Sequence, residues 1–383
     1  MKSNSITIMP GVRKGRVSVP LSKSHLHRLL IADFLAGGDM FTRSFDEACE
    51  DVSATQRCLK ELGSSDSPVL DCGESGSTLR FMLPIASVLA SHATLLARGR
   101  LPERPLQPFL DLMRPHGLQA GAVFPLKLNG TLKPGRYVAP GDISSQIITG
   151  LLFALPLLQG DSVIHCQGKM QSRGYVDMTL DVIKAYGISI DETTDGFVVA
   201  GGQKYILNSG VSPERDWSSA AFWLAMNEMG CQIELPEMNE ASKQPDRAML
   251  DLARQEGGVI DVSQCPDLFP ALAALAASRN CATRFIGVER LRMKESDRLA
   301  AMADVLSRLG VQVNLQEHSF EVMGQGALLK GGVELATYND HRIAMAAATL
   351  AAICREPIVI ENPDCVAKSY PDFFSQLSQL EIV

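Results

Sequence analysis

The sequence has no apolar run of membrane-spanning length, no closely spaced cysteine pair and no surplus of positive charge, and each absence removes a class of function. The longest apolar run, residues 147–158, is broken by Thr149, Gly150 and Pro156 and is too short to cross a bilayer. No apolar stretch of the secretory kind follows Met1-Lys-Ser-Asn-Ser5, so a cytoplasmic protein with no membrane partner is expected. The nine cysteines are odd in number and include no Cys-x-x-Cys, which suits scattered, reduced core thiols. A net charge of −7 argues against a general nucleic-acid surface, so cations that bind an anion must be gathered locally. His25, His27 and His341 form no recognisable ligand set, and no metal is expected. Gly73-Glu-Ser-Gly76 lacks the Gly-Lys-Ser/Thr ending of a phosphate loop, and no Gly-x-Ser-x-Gly elbow occurs, so no nucleotide or other cofactor is expected.

What is present is an ordinary globular balance, 46% hydrophobic and 21% charged over 383 residues, enough for two or three domains with buried cores. One design recurs along the chain. A polar or Gly/Ser head leads into an apolar helix-like segment, then strand-like residues, then an amphipathic helix that usually ends in glycine. The apolar segments begin near Ser24, Ser77, Ser145, Ser218, Asp267 and Asp340. The amphipathic helices are expected over 49–63, 106–117, 175–187, 246–257, 295–310 and 370–380. Five of these close on Gly63, Gly117, Gly187, Gly257 and Gly310, where glycine supplies the left-handed residue that ends a helix. Six such repeats average roughly 64 residues, the size of a βαβ-type subdomain, and divide into two domains of three. The turn-rich stretch 208–213 is the expected boundary.

The densest charge lies at Glu289-Arg-Leu-Arg-Met-Lys-Glu-Ser-Asp-Arg298, directly before an apolar-periodic run that stops at Gly310. Ser296 and Asp297 suit capping positions, and acidic groups there suit the positive end of a helix dipole, but Lys294 and Arg298 oppose it, as an anion site would require and a plain helix start would not. Other heads carry similar chemistry: Ser22-Lys-Ser24 with Arg28, Glu74-Ser-Gly-Ser-Thr78 with Arg80, Ser144-Ser-Gln146, Pro266-Asp267 and Asn339-Asp-His-Arg342. Further cations, Arg104, Arg173 and Lys368, lie in turns. Taken singly, Ser22, Ser144, Ser145 and Asp267 would also serve as plain N-caps, Arg28 and Arg80 as internal ion-pair partners, and 289–298 as a solvated loop. Taken together they describe a two-domain α/β enzyme acting on small polyanions.

Longer motifs carry a resemblance. Val19-Pro-Leu-Ser-Lys-Ser-His-Leu-His-Arg28, Cys72-Gly-Glu-Ser-Gly-Ser-Thr-Leu-Arg80, Leu101-Pro-Glu-Arg-Pro105 and Ile143-Ser-Ser-Gln146 come from the first half. Arg292-Met-Lys-Glu-Ser-Asp-Arg298, Tyr338-Asn-Asp-His-Arg-Ile-Ala-Met345 and Cys365-Val-Ala-Lys-Ser-Tyr-Pro-Asp372 come from the second. In this order, and over nearly the whole chain, they resemble the enolpyruvyl transferases, in particular the branch acting on shikimate 3-phosphate. The resemblance implies an α/β fold of two domains, each of three βαβαββ repeats around a central interdomain cleft. It also implies that the N-terminal strand joins the second half, giving a discontinuous domain of 1–20 plus 214–383 beside a domain of 21–213.

The implied reaction transfers the enolpyruvyl group of phosphoenolpyruvate to the 5-hydroxyl of shikimate 3-phosphate, releasing phosphate, in a monomeric enzyme. Carried over position by position, Lys23, Gly76, Arg104, Gln146, Arg298, Arg342 and Lys368 match positions that meet phosphoenolpyruvate. Lys23, Ser24, Arg28, Ser144, Ser145, Gln146, Ser172, Asp267 and Lys294 match the shikimate 3-phosphate side. Asp267, Glu295 and Lys23 match catalytic positions. Glu74 stands where many members have Asn, and Arg290 at a position that is often Asn. The related UDP-N-acetylglucosamine branch has a reactive cysteine in the loop that here reads Arg98-Gly-Arg-Leu-Pro-Glu-Arg104, which has none. A non-catalytic anion-binding relative is disfavoured because Asp267 and Glu295 are both present.

Overall fold

Three stretches of the chain fold in one pattern: strand, buried helix, parallel strand, outer helix, then an antiparallel hairpin. They appear in the computed structural model of the protein, which describes residues 4–38, 49–140, 144–168 and 170–383; Ile143 of the Ser-Ser-Gln motif lies outside the described residues. In the first, Val69–Asp71 runs parallel to His92–Leu96, which pairs antiparallel with Leu126–Asn129 and through it with Gln119–Ala120. In the second the order is Arg136–Pro140, Ser162–Gln167, Gly196–Val199 and Ile190–Thr193. In the third it is Gly258–Asp261, Ala282–Ile286, Ser319–Met323 and Gln312–Leu315.

The helix that follows each first strand is apolar nearly all round and buried accordingly: Gly76–Leu89, Ser145–Ala154 and Phe269–Ser278. Outer helices such as Arg173–Ala185 and Arg298–Arg308 bury one face only. Phe269 meets Phe285 and Phe320 edge to face at 5.4 and 5.2 Å, tying its helix to the sheet beneath it.

The chain divides into two compact units, Lys23–Pro213 and Met1–Ser22 with Glu214–Val383. The continuous unit opens with the helices Lys23–Leu35 and Glu50–Ser64, both ahead of its first strand among the described residues, Val69–Asp71. The discontinuous unit builds two further three-stranded sheets from the chain's ends. Ser5–Ile8 lies antiparallel to Ile358–Glu361, which is parallel to Glu334–Leu335. Arg13–Arg16 lies parallel to Gln232–Glu234 and antiparallel to Glu381–Ile382. The full βαβαββ order is therefore continuous in three of the six repeats among the described residues. Elsewhere strands come from distant sequence, because a sheet edge pairs with whatever backbone lies beside it. No helix among the described residues is long and apolar enough to cross a membrane.

Helix ends follow the glycine rule three times in five, at Gly117, Gly187 and Gly310; Gly257 lies five residues past the last helical residue before it, Leu252. All four are left-handed, with φ between 69° and 106°. Gly63 is not: it lies inside the helix Glu50–Ser64, where a Cβ would stand 3.0 Å from Phe34 Cε2, so close packing explains it better than helix termination. The helix expected over 246–257 is only a 3₁₀ turn, Pro245–Ala248, and a single α-turn, Met249–Leu252.

Candidate functional site

In the discontinuous unit, the helix Arg298–Arg308 starts on a dipole-compatible cap, Asp297, whose Oδ1 accepts from the amides of Leu299 and Ala300 at 3.1 Å each. The first residue of this helix is the cation that the dipole disfavours, and three acids hold it there. Arg298 is 1% exposed and donates through Nε to Asp340 Oδ2 at 2.9 Å, through Nη1 to Asp267 Oδ1 at 2.7 Å and through Nη2 to Glu295 Oε2 at 2.8 Å. A planar guanidinium can serve three carboxylates at once in this way; an ammonium cannot.

Asp267 lies in the 3₁₀ turn Pro266–Leu268, one turn ahead of the helix Phe269–Ser278, and does not cap it. The plain N-cap reading of this residue therefore fails. Its carboxylate instead collects Arg298, Lys294 Nζ at 3.3 Å and Arg342 Nη2 at 3.2 Å. Burial pushes its carboxyl up, but Arg342, Lys294 and Arg298 together outweigh burial and hold it well below the usual range. Burial acts the other way on Lys294, and with Arg298 close by it pulls the ammonium down to about 8 despite Asp267. Arg342 Nε is buried without a partner among the described residues, a donor left for a ligand.

Asp340 closes the group. Its Oδ1 caps the helix His341–Leu350 through the Arg342 amide at 2.9 Å, and its Oδ2 takes Ser296 Oγ at 2.9 Å beside Arg298. The two residues before it, Tyr338 and Asn339, are both left-handed, with φ of 54° and 55°. Such conformations cost about 1–3 kcal/mol each for residues other than glycine. Lys368 Nζ, nearly buried, secures this turn by donating to Asn339 O at 2.7 Å.

In the continuous unit the head serines behave as caps. Ser75 Oγ accepts from the Thr78 amide at 3.2 Å and Ser144 Oγ from the Gln146 amide at 3.3 Å, starting Gly76–Leu89 and Ser145–Ala154. Ser145 is buried at the second of these starts. Gln146 bridges the two heads, accepting from Arg80 Nη1 at 3.2 Å and donating to Ser77 Oγ at 2.9 Å. A Cβ on Gly76 would stand 2.6 Å from Arg104 Nη1 and 2.7 Å from Arg80 Nη1, so glycine lets two guanidinium groups converge on this helix start. The Glu74 carboxylate packs on Gly99, whose added Cβ would lie 2.6 Å from Glu74 Cδ.

Lys23 pairs with Asp51 at 2.8 Å. Arg28, 2% exposed, donates to Thr179 Oγ1 at 2.9 Å, Thr149 Oγ1 at 3.4 Å and the carbonyls of Ser24 and Tyr175 at 2.5 and 2.7 Å. Among the described residues its partners are neutral oxygens, not acids, so the ion-pair reading fails there. Burial pulls it down to about 10, with Tyr175 opposing. Ser172 is left-handed, with φ of 55°, and precedes the helix Arg173–Ala185 without capping it. Arg173 is committed to Asp177 and Glu192.

The structure thus assembles Asp267, Lys294, Glu295, Arg298 and Arg342 in one unit, with Lys368 bracing the turn beside them. In the other it gathers Gly76, Arg104 and Gln146 at two helix starts, with Lys23, Ser24 and Arg28 along a third helix. The acids that hold Lys23 and Arg298, Asp51 and Asp340, carried no role in the sequence reading. Asp340 was visible only as a helix start, and Asp51 not at all.

Known proteins match this chain over nearly its whole length. The family described as EPSP synthase (3-phosphoshikimate 1-carboxyvinyltransferase) matches residues 10–227 and 225–377. The 3-phosphoshikimate 1-carboxyvinyltransferase of Clostridium kluyveri is 38% identical over 417 residues, covering 98% of this chain and 97% of that protein. The protein of the same name from Clostridium acetobutylicum is 36% identical over 420 residues, with the same coverage. A solved EPSP synthase from Acinetobacter baumannii superposes with a TM-score of 0.79 at 22% identity, covering 99% of this chain and 98% of the other. An enolpyruvyl transferase from Streptomyces tendae superposes with a TM-score of 0.73 at 15% identity, again over 99% and 98%. The two superpositions establish the two-domain enolpyruvyl transferase fold, and the sequence matches go further: the chain belongs to the EPSP synthase (3-phosphoshikimate 1-carboxyvinyltransferase) family.

Proposed function

We propose that the cluster on Arg298 performs the acid–base steps of enolpyruvyl transfer from phosphoenolpyruvate to the 5-hydroxyl of shikimate 3-phosphate. The observation that carries this reading is that one buried guanidinium holds both candidate carboxylates, Asp267 at 2.7 Å and Glu295 at 2.8 Å, with Lys294 3.3 Å from Asp267. Addition needs the 5-hydroxyl to lose a proton as its oxygen bonds the enol carbon, while the methylene carbon gains one. Elimination from the tetrahedral intermediate then expels phosphate and returns the methylene.

Asp267, strongly ionised, is assigned to orient the 5-hydroxyl and accept its hydrogen bond. Lys294, with its ammonium pulled down to about 8, is matched to receive or relay that proton near neutral pH. Glu295 is assigned to deliver the proton to the methylene, with Lys23 sharing that role. Arg298, saturated by carboxylates, is assigned to positioning them. Arg342, with its unpartnered Nε, and Lys368 are assigned to the phosphoenolpyruvate anion.

The continuous unit is assigned to anion recognition: Gly76, Arg104, Gln146 and Lys23 for phosphoenolpyruvate, and Ser24, Arg28, Ser144, Ser145, Gln146 and Ser172 for shikimate 3-phosphate. Helix starts with convergent guanidinium groups suit phosphate and carboxylate, and Arg28 offers a charge that donates to neutral oxygens only among the described residues. We place the enzyme in the cytoplasm as a monomer that needs no metal or nucleotide.

The test is phosphate release with the two substrates supplied together and separately, in the presence of a chelator. Turnover is expected only with both. Turnover with UDP-N-acetylglucosamine in place of shikimate 3-phosphate, or strict dependence on a divalent ion, would overturn the reading.

A further inference from the structure

Asp340 shares Arg298 with the proposed acid–base groups, and two features indicate that it does more than start a helix. The first is the placement of charge. Three carboxylates, Asp267, Glu295 and Asp340, face three cations, Arg298, Arg342 and Lys294, in a buried group, and Asp340 is itself 0% exposed. Without its charge Arg298 would lose one of its three counter-charges. The second is the backbone. Asp216 and Asp297 cap the helices Trp217–Glu228 and Arg298–Arg308 as Asp340 caps His341–Leu350, and no left-handed residue immediately precedes either. Asp340 follows two, Tyr338 and Asn339, held by Lys368 Nζ at 2.7 Å and by Asn362 Nδ2, which donates to Asn339 Oδ1 at 3.2 Å. Capping alone does not require that turn.

We propose that Asp340 is a positioning residue that sets the proton affinities of Asp267, Lys294 and Glu295 by taking a share of the Arg298 charge. This rests on the reading of that cluster as the acid–base centre. The titratable and charged groups facing Asp340 are Arg298 and Glu295 from the neighbouring helix start, His341 and Arg342 from its own helix, and Cys365 from the turn Pro363–Lys368. Removing its negative charge makes every remaining proton in the group easier to lose.

Asp340→Asn and Asp340→Ser each keep an oxygen able to cap the helix while losing the charge. Both limbs of the kcat–pH profile should then move to lower pH by about 1 unit, the scale of one close charge. Ser296→Ala, which removes a donor to Asp340 and should not disturb folding, should move both limbs slightly the other way. A residue that only caps would lower kcat or thermal stability without moving either limb. Limbs that coincide with those of the unaltered enzyme, in Ser296→Ala and in whichever Asp340 variants fold, would overturn the proposal. Absence of turnover by the unaltered enzyme would instead overturn the reading on which it rests.

Discussion

Lys294 Nζ lies 3.3 Å from Asp267 Oδ1, both part-buried against Arg298, so an amine that gives up its proton readily stands beside a carboxylate that does not take one. Burial disfavours the lysine's charge, and its cationic neighbours keep the aspartate ionised.

The pair predicts a pH dependence. Because the Lys294 ammonium is pulled down to about 8, it loses its charge as pH rises through that value. The kcat/KM for shikimate 3-phosphate, which reports the free enzyme, should therefore rise with pH up to about 8, as the neutral amine that can take the 5-hydroxyl proton forms. Lys294→Arg should remove that limb, since a guanidinium stays charged. A limb that persists unshifted in the arginine variant would assign it to another group.

Glu295 should control protonation of the methylene. Glu295→Gln is expected to lower kcat by roughly 10²–10⁴-fold, the usual yield of general acid–base catalysis. Exchange of the methylene protons of phosphoenolpyruvate with solvent deuterium during turnover should slow in step. Normal exchange in this variant would move the acid role to Lys23.

Gly76→Ala should act on phosphoenolpyruvate rather than on folding. The added Cβ, 2.6 Å from Arg104 Nη1 and 2.7 Å from Arg80 Nη1, can be accommodated only by moving both guanidinium groups. KM for phosphoenolpyruvate should rise about tenfold or more, a loss of about 1.4 kcal/mol. KM for shikimate 3-phosphate and the melting temperature should stay near those of the unaltered enzyme. An unchanged KM for phosphoenolpyruvate would remove Arg104 from that subsite.

Arg298→Met should destabilise the discontinuous unit. It strands three buried or half-buried carboxylates, and breaking such a buried arrangement costs about 3–5 kcal/mol. Denaturant unfolding measures this loss. Arg173→Met removes pairs to Asp177 and Glu192 that are two-fifths or more exposed and should cost about 1 kcal/mol or less. Equal losses would show that burial does not set the strength of these pairs.

Much was legible in the sequence because it is local. Periodicity placed all but one of the six amphipathic helices, left-handed glycine closed three of the five read as glycine-terminated, and Ser144 and Asp297 cap where their residue types allow. The cations at helix starts were legible for the same reason, since a charge opposing a dipole shows without any contact map. Motif order was enough to identify the family.

Only tertiary structure decided what each of these residues does. Asp267 and Ser144 both read as caps; Ser144 is one, while Asp267 is drawn away by cations from residues 294, 298 and 342. Arg28 and Arg298 both read as anion-binding arginines. Among the described residues Arg28 donates to neutral oxygens only, whereas Arg298 is surrounded by acids and spends its hydrogen bonds holding them. Hydrogen-bond partners and dielectric surroundings depend on which distant segments pack together. A residue's type gives its charge and reach; only the fold sets its counter-charges, and with them its role.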